Sequence, residues 1–252
     1  MTLPPLSPNA WMRWDLVSRL LPPGAHDVLE VGCGQGGFAA RLATRYPSYT
    51  AVELDEIAYE VARARLDAAG GGGEVHNGDL SVLPDDQKFD LVCAFEVIEH
   101  IEDDRKALTE WAERLRPGGW MVLSTPAFQR RFASADTMAG HFRRYDPPVM
   151  TQLLHDIGLH HVQVQQFGGP LGYVLEAGRN YVGRRRASAD AASSKAELTS
   201  GSGRLLQPNS GLQGAVTQYG TLPFRMLQRI VPGHGPGLVA KAQMPEPGSE
   251  PA

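Results

Sequence analysis

Cysteine is scarce in this chain: its 252 residues hold two, Cys33 and Cys93. Two thiols cannot build a disulfide framework, and neither has a second cysteine or a histidine at ligand spacing, so no metal site is expected from them. No apolar run approaches the roughly 20 residues that span a bilayer. The N-terminus lacks a basic segment followed by a continuous apolar core, so no signal peptide is expected and the cytoplasm is the expected location. Positive charge is not in excess either, with 24 Lys and Arg against 28 Asp and Glu for a net −4. A protein that grips a nucleic-acid backbone neutralises several phosphates, so this balance argues against nucleic acid as the main partner. No internal repeat is visible. What remains is an ordinary globular composition, 42% hydrophobic and 21% charged. It suffices for one large α/β domain or two small ones.

Helical periodicity over residues 11–21 places Trp14, Val17, Leu20 and Leu21 on one face, and Pro22-Pro23-Gly24 stops it. Residues 1–9 are Pro-rich and read as irregular. A regular alternation follows. Strands are expected at Asp27–Val31, 49–54, 74–76, Phe89–Phe95 and 120–124, with helices at 37–46, Glu56–Ala69 and 103–115 between them. A helix over Pro147–Asp156, a strand over 159–165 and a last strand over 238–242 complete the pattern. Such alternation predicts right-handed βαβ units and a doubly wound, mostly parallel sheet. Uninterrupted apolar strands predict a sheet covered on both faces. The chain therefore divides into a core over 1–165, an insertion or lid over 166–237 and a final core strand over 238–243. Residues 187–203, rich in Ser, Ala and Gly, are expected to be mobile, and the tail 244–252 disordered.

The first strand runs directly into Glu30-Val31-Gly32-Cys33-Gly34-Gln35-Gly36-Gly37. Glycines allow a sharp turn and close approach of a ligand, and the helix that follows offers free N–H groups. Gly32, Gly34 and Gly37 also satisfy the Gly-x-Gly-x-x-Gly spacing of a dinucleotide site, so the loop alone does not choose its ligand. Glu30 would repel a pyrophosphate and suits a cationic amino-acid group. Glu53, where the second strand ends, can accept from ribose hydroxyls of either kind of ligand. In Asn77-Gly78-Asp79-Leu80, Asp79 can accept from an adenine amino group with Leu80 on the ring, or can simply make a turn.

Taken in order, these motifs, with Phe-Asp-Leu-Val-Cys-Ala-Phe-Glu-Val-Ile-Glu-His over 89–100 and Leu-Arg-Pro-Gly-Gly over 115–119, resemble the series of class I S-adenosylmethionine (SAM)-dependent methyltransferases. The resemblance covers about residues 25–165. Glu96-Val97-Ile98-Glu99-His100 is similar to the ubiquinone-biosynthesis-type branch of small-molecule O-methyltransferases. Gly140-His141-Phe142-Arg143-Arg144-Tyr145 resembles a Gly-His-x-Arg-Arg-Tyr element of bacterial members. The resemblance implies a Rossmann-like seven-stranded sheet whose last strand is antiparallel. It implies SAM as cofactor, held by Glu30, Gly32, Gly34, Gly36, Glu53, Leu54, Asp79, Leu80, Phe95 and Glu96. In that family strands six and seven form a hairpin, whereas about seventy residues separate Gln165 from Leu238 here. That insertion is expected to build an acceptor lid or a homodimer contact.

A methyl group on sulfonium is already activated, so the protein mainly aligns a nucleophile and excludes water. A hydroxyl acceptor also needs a base. His141 is the first candidate and His100 the second, with Arg143, Arg144 and Tyr145 as acceptor-binding residues. Each also has a structural alternative, the arginines as pins for their loop and His100 as a helix cap. Trp11, Arg13 and Trp14 either cover the cofactor or pack the core. Asp146-Pro147-Pro148-Val149 reads as a helix start, and Arg184-Arg185-Arg186 as a solvated face. The expected function is methyl transfer to a small-molecule hydroxyl, on a sugar or natural-product intermediate. N- or C-methylation, RNA as acceptor, a NAD(P)-dependent oxidoreductase and a non-catalytic SAM-binding protein are the alternatives.

Overall fold

The computed structural model describes residues 3–187 and 211–248. Its first helix, α1 (Pro8–Leu20), starts earlier than periodicity indicates. The Ser7 Oγ accepts from the Ala10 N–H at 3.3 Å and Pro8 occupies the first turn, so a cap and a proline fix the start. The core then runs β1 (Asp27–Val31), α2 (Ala39–Arg45), β2 (Ser48–Glu53), α3 (Glu56–Ala69), β3 (Glu74–Asn77), β4 (Phe89–Phe95), α4 (Asp104–Glu113) and β5 (Leu115–Pro126). Asp55 and Asp103 cap α3 and α4 by accepting from the Ala58 and Lys106 N–H groups. β5 is longer than expected at both ends. Leu115 pairs with Phe89 and Trp120 with Leu91, and the Pro117-Gly118-Gly119 segment between them bulges out of register.

After β5 come the short α5 (Ser134–Ala139), which no periodicity announced, α6 (Pro147–Asp156) and β6 (His160–Phe167). The segment expected as an insertion contributes α7 (Leu171–Ala187), α8 (Gly211–Gly220) and α9 (Leu222–Ile230) among the described residues, and β7 (Gly237–Gln243) closes the sheet. Apart from Ala187, the stretch expected to be mobile lies outside the described residues, as do 249–252 of the tail. The tail's first residue, Met244, exchanges backbone hydrogen bonds with Gly118 and Gly119. No helix among the described residues is long and apolar enough to cross a membrane.

The seven strands lie in the order β3-β2-β1-β4-β5-β7-β6, with β7 antiparallel to both neighbours and the other pairs parallel. This is the sheet that the resemblance implied. Successive strand residues serve opposite cores. Val28, Leu91, Cys93 and Val122 join Met12, Leu42 and Leu66 on one face, while Leu29, Val92, Ala94 and Met121 join Leu108, Trp111 and Leu154 on the other. Burying each such side chain contributes roughly 1.5–3 kcal/mol, which explains why no polar residue alternates along β4 after Asp90. The chain steps outward from β1 to β3 and then returns to β4. The carboxyl ends of β1 and β4 therefore flank a switch point, where open α/β sheets bind ligands.

Candidate active site

The loop leaving β1 takes left-handed backbone at Gly32, Gly34 and Gly36, with φ of 70°, 54° and 75°. A Cβ at Gly32 would stand 2.7 Å from Val97 Cγ2, and one at Gly36 2.9 Å from the Ala62 Cα of α3. At Gly34 nothing lies within 4 Å, so the middle of the loop faces open space. The glycine that lets a helix pack closely is thus Gly36 rather than Gly37, which departs from the dinucleotide spacing. Glu53 closes the loop from β2. Its Oε2 accepts from the Gly34 N–H at 2.7 Å and its Oε1 from the Asp55 N–H at 3.0 Å. Leu54 beside it is exposed. Asp79 makes the turn allowed for it, accepting at one oxygen from the Ser81 N–H and Oγ, which lower its carboxyl below the usual range. Leu80, half-buried, follows.

Glu30 departs from the role given to it. It is 2% exposed, and the Tyr49 hydroxyl donates to its Oε2 at 2.6 Å. Burial, reinforced by Glu53, pushes its carboxyl up to about 8. It therefore becomes an anion near neutrality only where a cation draws off its proton. The sequence placed Glu30 at a strand end but could not show that its side chain turns into the core with Tyr49.

β4 delivers Phe95 and then Glu96, whose φ of 59° costs about 1–3 kcal/mol for a residue with a Cβ. An ion pair from Arg13 of α1 to Glu96 Oε2 at 2.9 Å and the Glu96 N–H bond to the Ser124 carbonyl hold it there. Trp14 packs edge-on against Phe38, and Trp11 lies between Arg41 and Arg225, so the two tryptophans pack the α1 face. Arg13 Nε, Glu96 Oε1, both Glu99 oxygens and His100 Nδ1 are buried without a hydrogen-bond partner. Folded proteins leave few such atoms, and these gather at the carboxyl end of β4, where a ligand would supply partners.

Beyond β4, the rings of His100 and His141 meet edge to face with centroids 4.6 Å apart. Burial, with His141 beside it, pulls His100 down to about 4. Glu99 is fully buried, and burial together with the nearby Glu96 raises its carboxyl well above the usual range. His141 arrives from the loop after α5, which the Phe142 N–H pins to the Glu99 carbonyl at 2.8 Å. Its Nδ1 lies 2.9 Å from Asp136 Oδ1, a partner that sequence reading missed because α5 was not recognised. Burial alone would raise Asp136, but the bonds from His141 and Arg144 outweigh it and hold the carboxyl at about 2. Glu99, His100 and His141 each bring one donor atom within 4.8 Å of the others, so these three could also hold a cation.

The three residues expected to bind the acceptor are instead engaged within the protein. Arg144, 7% exposed, forks onto Asp136 at 2.7 and 2.8 Å and reaches Glu176 at 2.5 Å. Tyr145, 2% exposed, donates to Asp104 at 2.8 Å, and Arg143 pairs with the same Asp104 carboxylate at 2.8 Å. The acids that claim them lie 8 to 41 residues away in the chain, beyond the reach of local spacing.

A family model described as a methyltransferase domain matches residues 8–164. A Mycobacterium tuberculosis protein named "Probable S-adenosylmethionine-dependent methyltransferase" is 36% identical over 164 residues, 62% of this chain and 58% of that protein. A Penicillium expansum O-methyltransferase is 31% identical over 137 residues, 53% of this chain and 50% of that protein. A ubiquinone biosynthesis O-methyltransferase of Nitrosospira multiformis is 29% identical over 116 residues, 45% of this chain and 48% of that protein. The chain thus spans between 48% and 58% of the length of these three relatives. Among solved structures, the YcgJ protein of Bacillus subtilis aligns with a TM-score of 0.59 at 15% identity over 92% of this chain and 97% of that one. The N-methyltransferase NodS of Bradyrhizobium japonicum, solved with S-adenosyl-L-homocysteine, aligns with 0.55 at 17% over 95% and 86%. At such identity the structural likeness speaks for the fold alone.

Proposed function

The chain belongs to the methyltransferase-domain family, and from that premise we propose that it transfers the methyl group of SAM to a hydroxyl of a small molecule, with His141 as the base. The observation that carries this reading is the His141–Asp136 pair beside His100, at the end of the sheet where the glycine loop opens. When bound, SAM supplies a methyl group on a cationic sulfur. The residues present suit it. The open space at Gly34 admits a ligand against the loop, Glu53 stands where ribose hydroxyls can be accepted, and exposed Leu54 offers an apolar surface. Asp79 and Leu80 would take the base, Gly32 and Gly36 would shape the loop, and Phe95 and Glu96 would wall the reacting end. Glu30 would lose its proton to a cationic neighbour.

Asp136 fixes the His141 Nδ1 side, leaving the other ring nitrogen to take a proton from the acceptor, and its charge stabilises the imidazolium that forms. The two relatives named O-methyltransferases support oxygen as the acceptor atom. A sugar or natural-product intermediate fits this chemistry. Arg143 and Arg144, being paired with acids, offer no basic cleft for RNA. Incubation with methyl-labelled SAM and a panel of alcohols, phenols and amines, read by mass spectrometry, should place the label on oxygen. Label on amines alone, or none from a chain that binds SAM, would overturn the hydroxyl reading.

A further inference from the structure

His141 ends a chain of buried charge that begins in the segment between β6 and β7. Glu176 of α7, with its side chain 3% exposed, accepts from Arg144 Nη1 at 2.5 Å and from Arg131 Nη2 at 2.5 Å. Arg144 in turn forks onto Asp136 through Nε and Nη2. Asp136 Oδ2 also accepts from the Ala133 N–H, and Oδ1 is shared between Arg144 Nε and His141 Nδ1. Two acids and two arginines balance one another, and every acid oxygen named has a donor. Such burial is tolerated only when all members are paired.

The shared oxygen is the sensitive point. Arg144 and His141 compete for Oδ1, and the outcome depends on where the guanidinium lies. Held side-on, as here, it leaves one direction of Oδ1 to His141. Sliding toward that oxygen, it would displace the ring. On α5 the Nη2 bond to Asp136 Oδ2 opposes the slide. The Nη1 contact to Glu176 adds the second restraint, because it anchors the far corner of the guanidinium. The bonds that Glu176 accepts come from Arg131 and Arg144, and His141 bonds to Asp136, so its effect on His141 passes through Arg144 and Asp136.

We propose that Glu176 is a positioning residue which, through Arg144 and Asp136, holds His141 in the tautomer with its proton on Nδ1, so that the docking of α7 sets the state of the base. The inference rests on His141 as the base, but its test does not need the acceptor. Ring nitrogens of the full chain, labelled with ¹⁵N, are read in long-range ¹H–¹⁵N spectra at one fixed pH, with His141 assigned from a His141→Gln variant. The wild-type ring should show a single tautomer protonated at Nδ1, and Glu176→Gln should show a mixture. Arg144→Lys keeps the charge and loses the fork, so it should show the same mixture and serves if Glu176→Gln does not fold. A folded variant of either kind with the wild-type ring pattern overturns the proposal. Once an acceptor is known, Glu176→Gln should lower kcat about tenfold, part of the 10²–10⁴ that a base supplies, with KM and SAM affinity unchanged. A disturbed ring with unchanged turnover would uphold the positioning and remove His141 from the reaction instead.

Discussion

His100 and His141 stand in contact yet are unequally equipped for proton transfer. Burial holds His100 near 4, so it stays neutral around pH 7 and offers its ring as a wall or a hydrogen-bond partner. His141 has the Asp136 carboxylate behind it to share a positive charge. His141→Ala should therefore lower turnover by about 10²–10⁴ while SAM still binds, and His100→Gln should cost less. Dialysis against a chelator should leave turnover within about twofold if these rings act on protons alone. A loss restored by a divalent metal would instead make Glu99, His100 and His141 its ligands. Glu30 gives a separate expectation in pH. Its carboxyl rises from an ordinary 4.5 to about 8 on folding, so between those values the folded chain keeps a proton that the unfolded chain releases. Stability should then fall as pH rises through that window, by up to about 1.4 kcal/mol per unit. Glu30→Gln keeps an acceptor for the Tyr49 hydroxyl and cannot ionise. Thermal melts at pH 5, 6.5 and 8 should show a flatter profile for the variant.

At the scale of elements, legibility followed physical signal. β1 and β4 were readable to the residue because both faces are buried and their apolar runs end at Gly32 and Glu96. α1 was misplaced at its start because apolar periodicity begins at Trp11 while the chain enters helix at the Ser7-Pro8 cap. Ser7→Ala should cost about 1 kcal/mol in chemical denaturation, which measures how far that cap sets the boundary. α5 spans six residues, too few to show a period, so Asp136 was missed with it. Yet Asp136 supplies the carboxylate behind His141. Local pattern found the histidines, and only packing could reveal what orients them. Arg143, Arg144 and Tyr145 are the converse case. Their charge and position suggested a ligand, and distant acids from α4, α5 and α7 had already claimed them.

At the scale of the molecule, β7 finds its place between β5 and β6 although the long segment after β6 intervenes, and among the described residues that segment is tied down at two separate places. One is Glu176 against α5. The other joins α9 to α1. Buried Gln228 donates to the Met12 carbonyl at 3.0 Å and to Asp15 Oδ2 at 2.9 Å, and accepts from the Gly168 N–H at 3.2 Å. Arg229 Nε adds a bond to Asp15 Oδ1 at 2.9 Å, and the Thr217 hydroxyl of α8 donates to the Leu6 carbonyl at 3.0 Å. Asp15 is 3% exposed and its bonds from Arg229 and Gln228 outweigh the burial that would raise it, leaving its carboxyl lowered. Since α1 also carries Arg13, the partner of Glu96, this second anchor bears on Glu96 at the end of β4, while the first bears on His141 through Arg144 and Asp136. Asp15→Ala strands buried Gln228 without its side-chain acceptor, while half-exposed Arg229 turns to water, and it should cost about 1–3 kcal/mol. Because the anchors share no residue, the loss should be local. Hydrogen exchange should quicken in α1, α8 and α9 and stay unchanged in α5 and α7. Equal quickening in α7 would mean that the segment between β6 and β7 docks as one unit, and that the surroundings of Glu96 and His141 loosen together.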